Sequence, residues 1–339
     1  MRPRIALCGA GAIAGMHAVA ASELGLPIVA VASRTHERAA SLAARTGAKA
    51  VGYDQLLAGA EIVVVSTPPA QHAADAIRYL DAGAAVLLEK PLCRTLAEAD
   101  SLVSAAERHD NRLLYAENLA YSPVVGAMLD RLGDLGPLTT LEVRSLQALP
   151  TWGAFTTDEW GGGALFDLGV HPLAVAMLLA RPAAVVAVRA TLRGGVGHGT
   201  DEHAEVDLHF SSGLRGRIVS SWQSGPEPLW DAQVSSATGV LRAEMLPVPS
   251  LERNGEPIPL PPAGASIAAA EQYGYVGQLR ALVDDVAHRR RPMMDASFGR
   301  DVLDVVCAAY LSAGHESAPV SVPFAGQRTL SPLELWRAT

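Results

Sequence analysis

Through its first third the chain repeats one rhythm, an apolar run of four or five residues followed by a helix-length stretch. Residues 4–8 run into Gly9. Ile28-Val29-Ala30-Val31-Ala32, Ile62-Val63-Val64-Val65 and Ala85-Val86-Leu87-Leu88 follow, and Leu113-Leu114-Tyr115 closes the series. None of these runs alternates polar with apolar residues, so each expects cover on both faces. Segments 12–24, 35–46 and 70–82 read as helices, as does the stretch from Leu96, which carries Thr95 and Glu98 at capping-box spacing. Strands alternating with helices of this length predict βαβ units on a parallel sheet.

From about Tyr121 the rhythm changes. Segments 138–148, 183–193, 203–210, 214–223, 230–236 and 239–244 are strand-like, several with period two, and turn signals such as Ser211-Ser212-Gly213 part them. They predict an open antiparallel sheet with one face left apolar unless another copy of the chain covers it. Residues 246–265 are rich in Pro and Gly and predict loop, and helical patterns return at 269–288 and 297–313. The expected class is α/β, with a first domain over residues 1–120 and a second over 121–339.

Composition removes several functions. The 339 residues suit two domains, and 49% hydrophobic with 18% charged residues suits a globular chain. A net charge of −8 argues against nonspecific binding to nucleic acid or to an anionic membrane. Cys8, Cys93 and Cys307 lie far apart, with neither a disulfide framework nor zinc spacing. No metal and a reducing, cytoplasmic setting are therefore expected. No apolar stretch reaches the ~18 residues of a membrane span, and no signal peptide is read.

Gly9-Ala10-Gly11 stands between a strand and a helix, and Ala14 takes the third small position. The first Gly permits a tight turn, and the second lets a backbone approach a pyrophosphate at the helix start. Gly9, Gly11, Ala12 and Ile13 are thus expected to hold a dinucleotide; alone, the spacing also suits a plain turn. The second strand ends Ala32-Ser33-Arg34-Thr35, with Arg38 a turn later. An acid there would bond a ribose 2′-hydroxyl, whereas Arg accommodates a 2′-phosphate. Ser33, Arg34 and Arg38 predict NADP(H) over NAD(H), against the alternative of a solvated helix start that leaves NAD(H) acceptable.

Glu89-Lys90-Pro91 closes the strand Val86-Leu87-Leu88. Ligands of parallel sheets bind at the carboxyl ends of strands, so the Lys90 ammonium is expected to meet a substrate oxygen and stabilise a developing alkoxide. Glu89 would fix Lys90 or a cofactor ribose; an isolated Glu-Lys would read instead as a surface salt bridge at a strand end. Farther on, Gly161-Gly162-Gly163 precedes Asp167 and His171, four residues apart. On a helix that spacing shares a face, and Pro172 would kink the turn. The glycines admit close approach of another backbone or a ligand. His171 suits a proton acceptor or donor near neutral pH, with Asp167 bonding substrate or polarising the imidazole. Taken by itself the pair reads rather as a helix-capping Asp and a satisfied core His; the other two motifs turn the reading to catalysis. Trp152 and Trp160 flank the glycines and would stack on a sugar face, or serve only as core.

Taken in order, the Gly9–Ala14 loop, Ser66-Thr67-Pro68-Pro69 with His72, Glu89-Lys90-Pro91 and the Gly161–His171 run resemble the Gfo/Idh/MocA family, the glucose–fructose oxidoreductase and inositol dehydrogenase type. The resemblance covers nearly the whole chain. It implies a Rossmann domain followed by an α/β domain with a large, mostly antiparallel sheet. It implies that Lys90, Asp167 and His171 match the family's catalytic Lys, Asp and His. Ser66, Thr67, Pro68, His72, Glu89, Lys90 and Asn118 match positions that line the nicotinamide half of the cofactor site. It also implies a homodimer or homotetramer formed through the open sheet face. One departure weakens a transfer of inositol specificity: Ala174 stands where members often carry an acid, three residues after the His.

The expected activity is hydride transfer between a nicotinamide cofactor and a small-molecule sugar, polyol or keto-sugar derivative. Reduction of a non-sugar ketone or imine uses the same parts, and a non-catalytic dinucleotide-binding sensor would keep only the first of them.

Overall fold

A computed structural model describes residues 2–194, 199–260 and 268–338. By contact the chain forms two compact units. The first is Met1–Cys93, Ala97–Tyr121 and Ala263–Arg300, and the second is Arg94–Leu96, Ser122–Pro262 and Asp301–Thr339.

The first unit opens with β1 (Ile5–Cys8), α1 (Ala12–Glu23), β2 (Ile28–Ala32), α2 (His36–Thr46), β3 (Lys49–Ala50), β4 (Ile62–Val65), α3 (Pro69–Asp81), β5 (Ala85–Glu89), α4 (Leu96–Arg108) and β6 (Leu113–Ala116). The six strands are parallel, in the order β3-β2-β1-β4-β5-β6. Every residue of β1, β4, β5 and β6 is buried, as their unbroken apolar runs require. Strand order reverses between β1 and β4, which leaves a crevice at their carboxyl ends.

The second unit begins with α5 (Pro123–Leu129), β7 (Leu138–Leu146), α6 (Ala164–Asp167) and α7 (Val170–Leu179). Then come β8 (Val185–Gly194), β9 (Asp201–Phe210), β10 (Arg215–Ser221), β11 (Leu229–Ser236), β12 (Gly239–Leu246), β13 (Ser250–Arg253) and β14 (Glu256–Pro257). Helices α8 (Ala268–Gln272) and α9 (Tyr275–His288) return to the first unit, where Ala270, Tyr275, Val276, Leu279 and Leu282 join Ala14, Ala18 and Ala21 of α1 in one core. The chain ends with α10 (Ala296–Gly314), β15 (Val320–Ser321) and α11 (Pro332–Arg337). Nine strands form the second sheet, β14-β13-β12-β11-β7-β10-β9-β8-β15, antiparallel except for the β10–β7 pair.

Two expectations need correction. The segment 246–265 is not all loop: β13 and β14 form a hairpin around Asn254 and Gly255, which stand at φ +54° and +85°. Asn-Gly is the usual two-residue hairpin turn, hidden here among prolines. Residues 261–265 lie outside the described chain. The open sheet face is also not apolar. Cross-strand register aligns Arg189, Asp207, Arg217, Glu142, Gln233, Arg242 and Glu252 in one row over seven strands. One row over, Asp231 is buried between Arg144 (2.5 Å) and Arg242 (3.1 Å). The apolar residues of the same strands, among them Val143, Val206, Ile218 and Val234, are buried on the other face. Period-two strands carry one apolar face each, and the helices of this unit already use it.

Candidate active site

In the first unit, Gly9 has φ +119°, and a side chain there would meet Ser66 Oγ at 2.6 Å and Ser66 O at 2.8 Å. The glycine lets the loop after β1 lie against the loop after β4, and Ser66 N–H donates to Cys8 O at 2.8 Å. Gly11 caps α1 with no side-chain hydrogen bond and no acid in the first turn, and a Cβ there would meet nothing within 4 Å. Open space over uncapped N–H groups suits a pyrophosphate, so these residues fit a dinucleotide. Ala12 is exposed and Ile13 half-buried beside it. At the end of β2, Ser33 Oγ accepts Thr35 N–H at 3.3 Å, and Arg34 and Arg38 are exposed.

Three of the motif residues turn to the protein. Thr67 Oγ1 donates to Asp75 Oδ2 at 3.0 Å, and Pro68 caps α3. His72 is buried with Nδ1 2.8 Å from Pro91 O and Nε2 2.6 Å from Thr67 O. Its ring ties the loop after β4 to the loop that carries Lys90. Burial pushes its pKa down, and the two carbonyls oppose that shift. Glu89 is also buried; its Oε1 lies 2.7 Å from His17 Nε2, and its Oε2 accepts the Lys90 N–H at 3.1 Å. Burial raises the Glu89 pKa, but His17 and Lys90 together hold it below the usual range. Asn118 Nδ2 donates to Tyr273 O at 2.5 Å. His17 was not legible as part of this set, because a lone His on a small-residue helix gives no sign of an acid seventy-two residues away.

The second unit holds the Asp/His pair. Of the three glycines, Gly161 has φ +103°, and side chains at Gly162 and Gly163 would strike Phe166 and the Asp201 main chain. The glycines admit another backbone. Asp201, buried at the start of β9, accepts Leu165 N–H at 2.8 Å and the Tyr310 hydroxyl at 2.5 Å, and that hydroxyl accepts Gly163 N–H at 2.9 Å. Burial raises the Asp201 pKa against these hydrogen bonds. The assembly fixes the start of α6.

Asp167 ends α6 and His171 lies in the first turn of α7, so the two residues occupy successive short helices rather than one. His171 N–H bonds Leu168 O at 3.3 Å, three residues back. Both side chains are buried, as is Ala174. The His171 ring lies 5.2 Å from the Trp230 ring. Trp152 and Trp160 both pack edge-on against Phe155, at 4.9 and 4.7 Å. Trp222 and Trp230 join this cluster, which sequence spacing could not foretell because sheet register assembles it.

Residues 3–117 match the description of an oxidoreductase family with an NAD-binding Rossmann fold, and residues 128–242 match the GFO/IDH/MocA C-terminal domain. The chain belongs to the Gfo/Idh/MocA family. It is 30% identical over 78% of its length to a putative UDP-kanosamine synthase oxidoreductase subunit of Amycolatopsis mediterranei, covering 81% of that protein. With D-glucoside 3-dehydrogenase of Escherichia coli it shares 30% identity over 55% of its own length and 56% of the other. Among solved structures, GenD2 from gentamicin A biosynthesis, in complex with NAD, aligns over 95% of this chain and 96% of its own, with a TM-score of 0.83 at 26% identity. The α/β fold class and the nicotinamide-dinucleotide oxidoreductase activity read from the sequence are those of the family. Among the described residues no helix is long and apolar enough to cross a membrane, and no group of His, Cys, Asp or Glu could hold a metal ion.

Proposed function

We propose that the chain oxidises a hydroxyl, or reduces a carbonyl, on a sugar derivative. The observation that carries the reading is the clamped Glu89-Lys90-Pro91 segment at the carboxyl end of β5: Glu89 and Pro91 on either side of Lys90 are each held by a buried imidazole. A surface ion pair would need no such bracing. The names of relatives support the sugar, since they act on a glucoside, on glucose 6-phosphate and on dTDP-linked sugars.

Nicotinamide, when bound, supplies the hydride acceptor or donor. In the oxidative direction His171 takes the hydroxyl proton, and Lys90 Nζ bonds the same oxygen and stabilises its developing charge. Asp167 orients the substrate or the imidazole. Gly9, Gly11, Ala12 and Ile13 receive the pyrophosphate end, and Ser66, Thr67, Pro68, His72, Glu89 and Asn118 shape the nicotinamide end. Trp152 and Trp160 contact substrate. In this reading residues 1–120 hold the cofactor and residues 121–339 bind substrate and join copies into a homodimer or homotetramer. Exposed Arg34 and Arg38, with no acid at the end of β2, support NADP(H) over NAD(H). The test is a panel of sugars, inositols and keto-sugars with each cofactor, read by absorbance of the reduced nicotinamide. Turnover of none of them would refute the reading.

A further inference from the structure

Helix α1 of the first unit carries a buried imidazole that the glycine loop at its start does not use. His17 is wholly buried, and its Nε2 lies 2.7 Å from Glu89 Oε1. Its Nδ1 is buried with no hydrogen-bond partner among the described residues. The Tyr275 ring of α9 packs edge-on against the imidazole at 5.3 Å. A proton on Nδ1 would be a buried orphan, so the ring proton belongs on Nε2, which donates it to the carboxylate. Glu89 passes the contact on: Oε2 accepts the Lys90 N–H at 3.1 Å, and the carboxylate and the Lys90 ammonium attract each other. The other titratable groups around Glu89 do not replace His17. Burial keeps Tyr115 of β6 and Tyr275 protonated, and the charges of Glu89 and Glu117 push the same way. His72 of α3 feels the Glu89 charge but turns both ring nitrogens to the Thr67 and Pro91 carbonyls.

We propose that His17 is a positioning residue for Lys90: it keeps Glu89 a buried carboxylate, and that carboxylate holds the Lys90 main chain and attracts its ammonium. The inference rests on the role given to Lys90 above and adds the group that stands behind it. A carboxylate buried this deeply takes up a proton unless a donor or a cation holds its charge. His17 supplies the donor. Without it Glu89 turns neutral, and Lys90 loses the anion beside it. Packing alone does not account for the imidazole. Around it α1 buries Ala14, Ala18, Ala20 and Ala21, and an apolar ring would suit such neighbours without leaving a nitrogen unpaired.

The chain has two lysines, Lys49 and Lys90, so each can be followed without a substrate. Acetic anhydride labelling of the full-length protein at one fixed pH, read by mass spectrometry, gives the rate at Lys90 relative to exposed Lys49 on β3. Only a neutral amine is acylated, so an anion beside it slows the reaction. His17→Phe keeps a ring against Tyr275 and removes the donor; it should raise the Lys90-to-Lys49 ratio by about 3–10-fold. His17→Gln, whose amide reaches about as far as Nε2, should leave the ratio within about twofold. Glu89→Gln should raise the ratio as His17→Phe does, and the two changes together should raise it no further, since both act through one charge. An unchanged ratio in His17→Phe, an equal rise in His17→Gln, or additive rises in the pair overturns the proposal and leaves the sugar reading standing. If His17→Phe does not fold, Glu89→Gln and His17→Gln carry the test, and an unchanged ratio in the first or a raised one in the second overturns it. With any sugar of the panel above that is turned over, His17→Phe should lower kcat by about tenfold or more, and His17→Gln should restore it. The NADPH and NADH dissociation constants should stay within about twofold; a loss of cofactor affinity to match that in kcat would assign His17 to the glycine loop and overturn the proposal. Turnover of no sugar refutes the sugar reading and leaves the labelling to decide the role of His17.

Discussion

Replacing Tyr310 by Phe removes one oxygen from the interior of the second unit and strands two groups at once. That hydroxyl donates to Asp201 at 2.5 Å and accepts the Gly163 N–H at 2.9 Å. A buried unpaired N–H costs about 1–3 kcal/mol, and a carboxylate oxygen more, so the variant should lose about 3–5 kcal/mol. The loss should depend on pH. Burial raises the Asp201 pKa above its unfolded value, and the Tyr310 hydrogen bond opposes that rise. A raised acid stabilises the fold below the unfolded carboxylate range and loses that contribution as pH climbs through the folded value. Without Tyr310 the folded value climbs further, so the variant should fall behind less at about pH 5 than at about pH 8. Tryptophan fluorescence during urea unfolding reads this, because all five tryptophans lie in the second unit. With a slope of about 1–3 kcal/mol per molar urea, the midpoint at the higher pH should drop by about 1–5 M. A drop below about 0.3 M, or a larger drop in acid than in base, would refute the reasoning.

Four further outcomes are expected. NADPH should bind more tightly than NADH, and Ser33→Asp with Arg34→Ala should reverse the order; equal binding by the unaltered chain in titration would count against it. His171→Ala should lower kcat by ~10²–10⁴-fold with the cofactor dissociation constant nearly unchanged. Lys90→Ala should be at least as damaging, and Lys90→Arg should not restore activity, because a planar guanidinium is a poor substitute for a compact ammonium. Light scattering at micromolar concentration should give a dimer or tetramer mass that Arg217→Glu lowers; a monomer in the unaltered chain would refute the oligomer.

Sequence gave clear sight of strands whose environment is uniform. β1, β2, β4 and β5 are buried nearly throughout, so apolar runs of four or five residues mark them to within about one residue. β3 and β15 are two residues each, too short to show a period. Helix α9 showed an apolar face, but periodicity does not say against which partner that face packs. The site divides in the same way. Local signals such as Gly9-Ala10-Gly11 and Glu89-Lys90-Pro91 are contiguous and readable. The groups that fix them come from far along the chain: His17 to Glu89, Tyr310 to Gly163 and Trp230 to His171. Such pairings exist only once strand order and register bring the elements together.

The row from Arg189 to Glu252 has a property that its single ion pairs lack. Positive and negative side chains succeed one another at the spacing of neighbouring strands, with Gln233 the one neutral interruption. Such an array has almost no field at a distance, since each charge is cancelled by the next, and salt screens what remains. At contact it behaves as a vernier. A facing surface of the same period is attracted in every second alignment, and sliding it by one strand, about 4.8 Å, sets like charge over like. The −8 net charge of the chain can keep copies apart in solution while this face rejects a partner that is out of step by one strand.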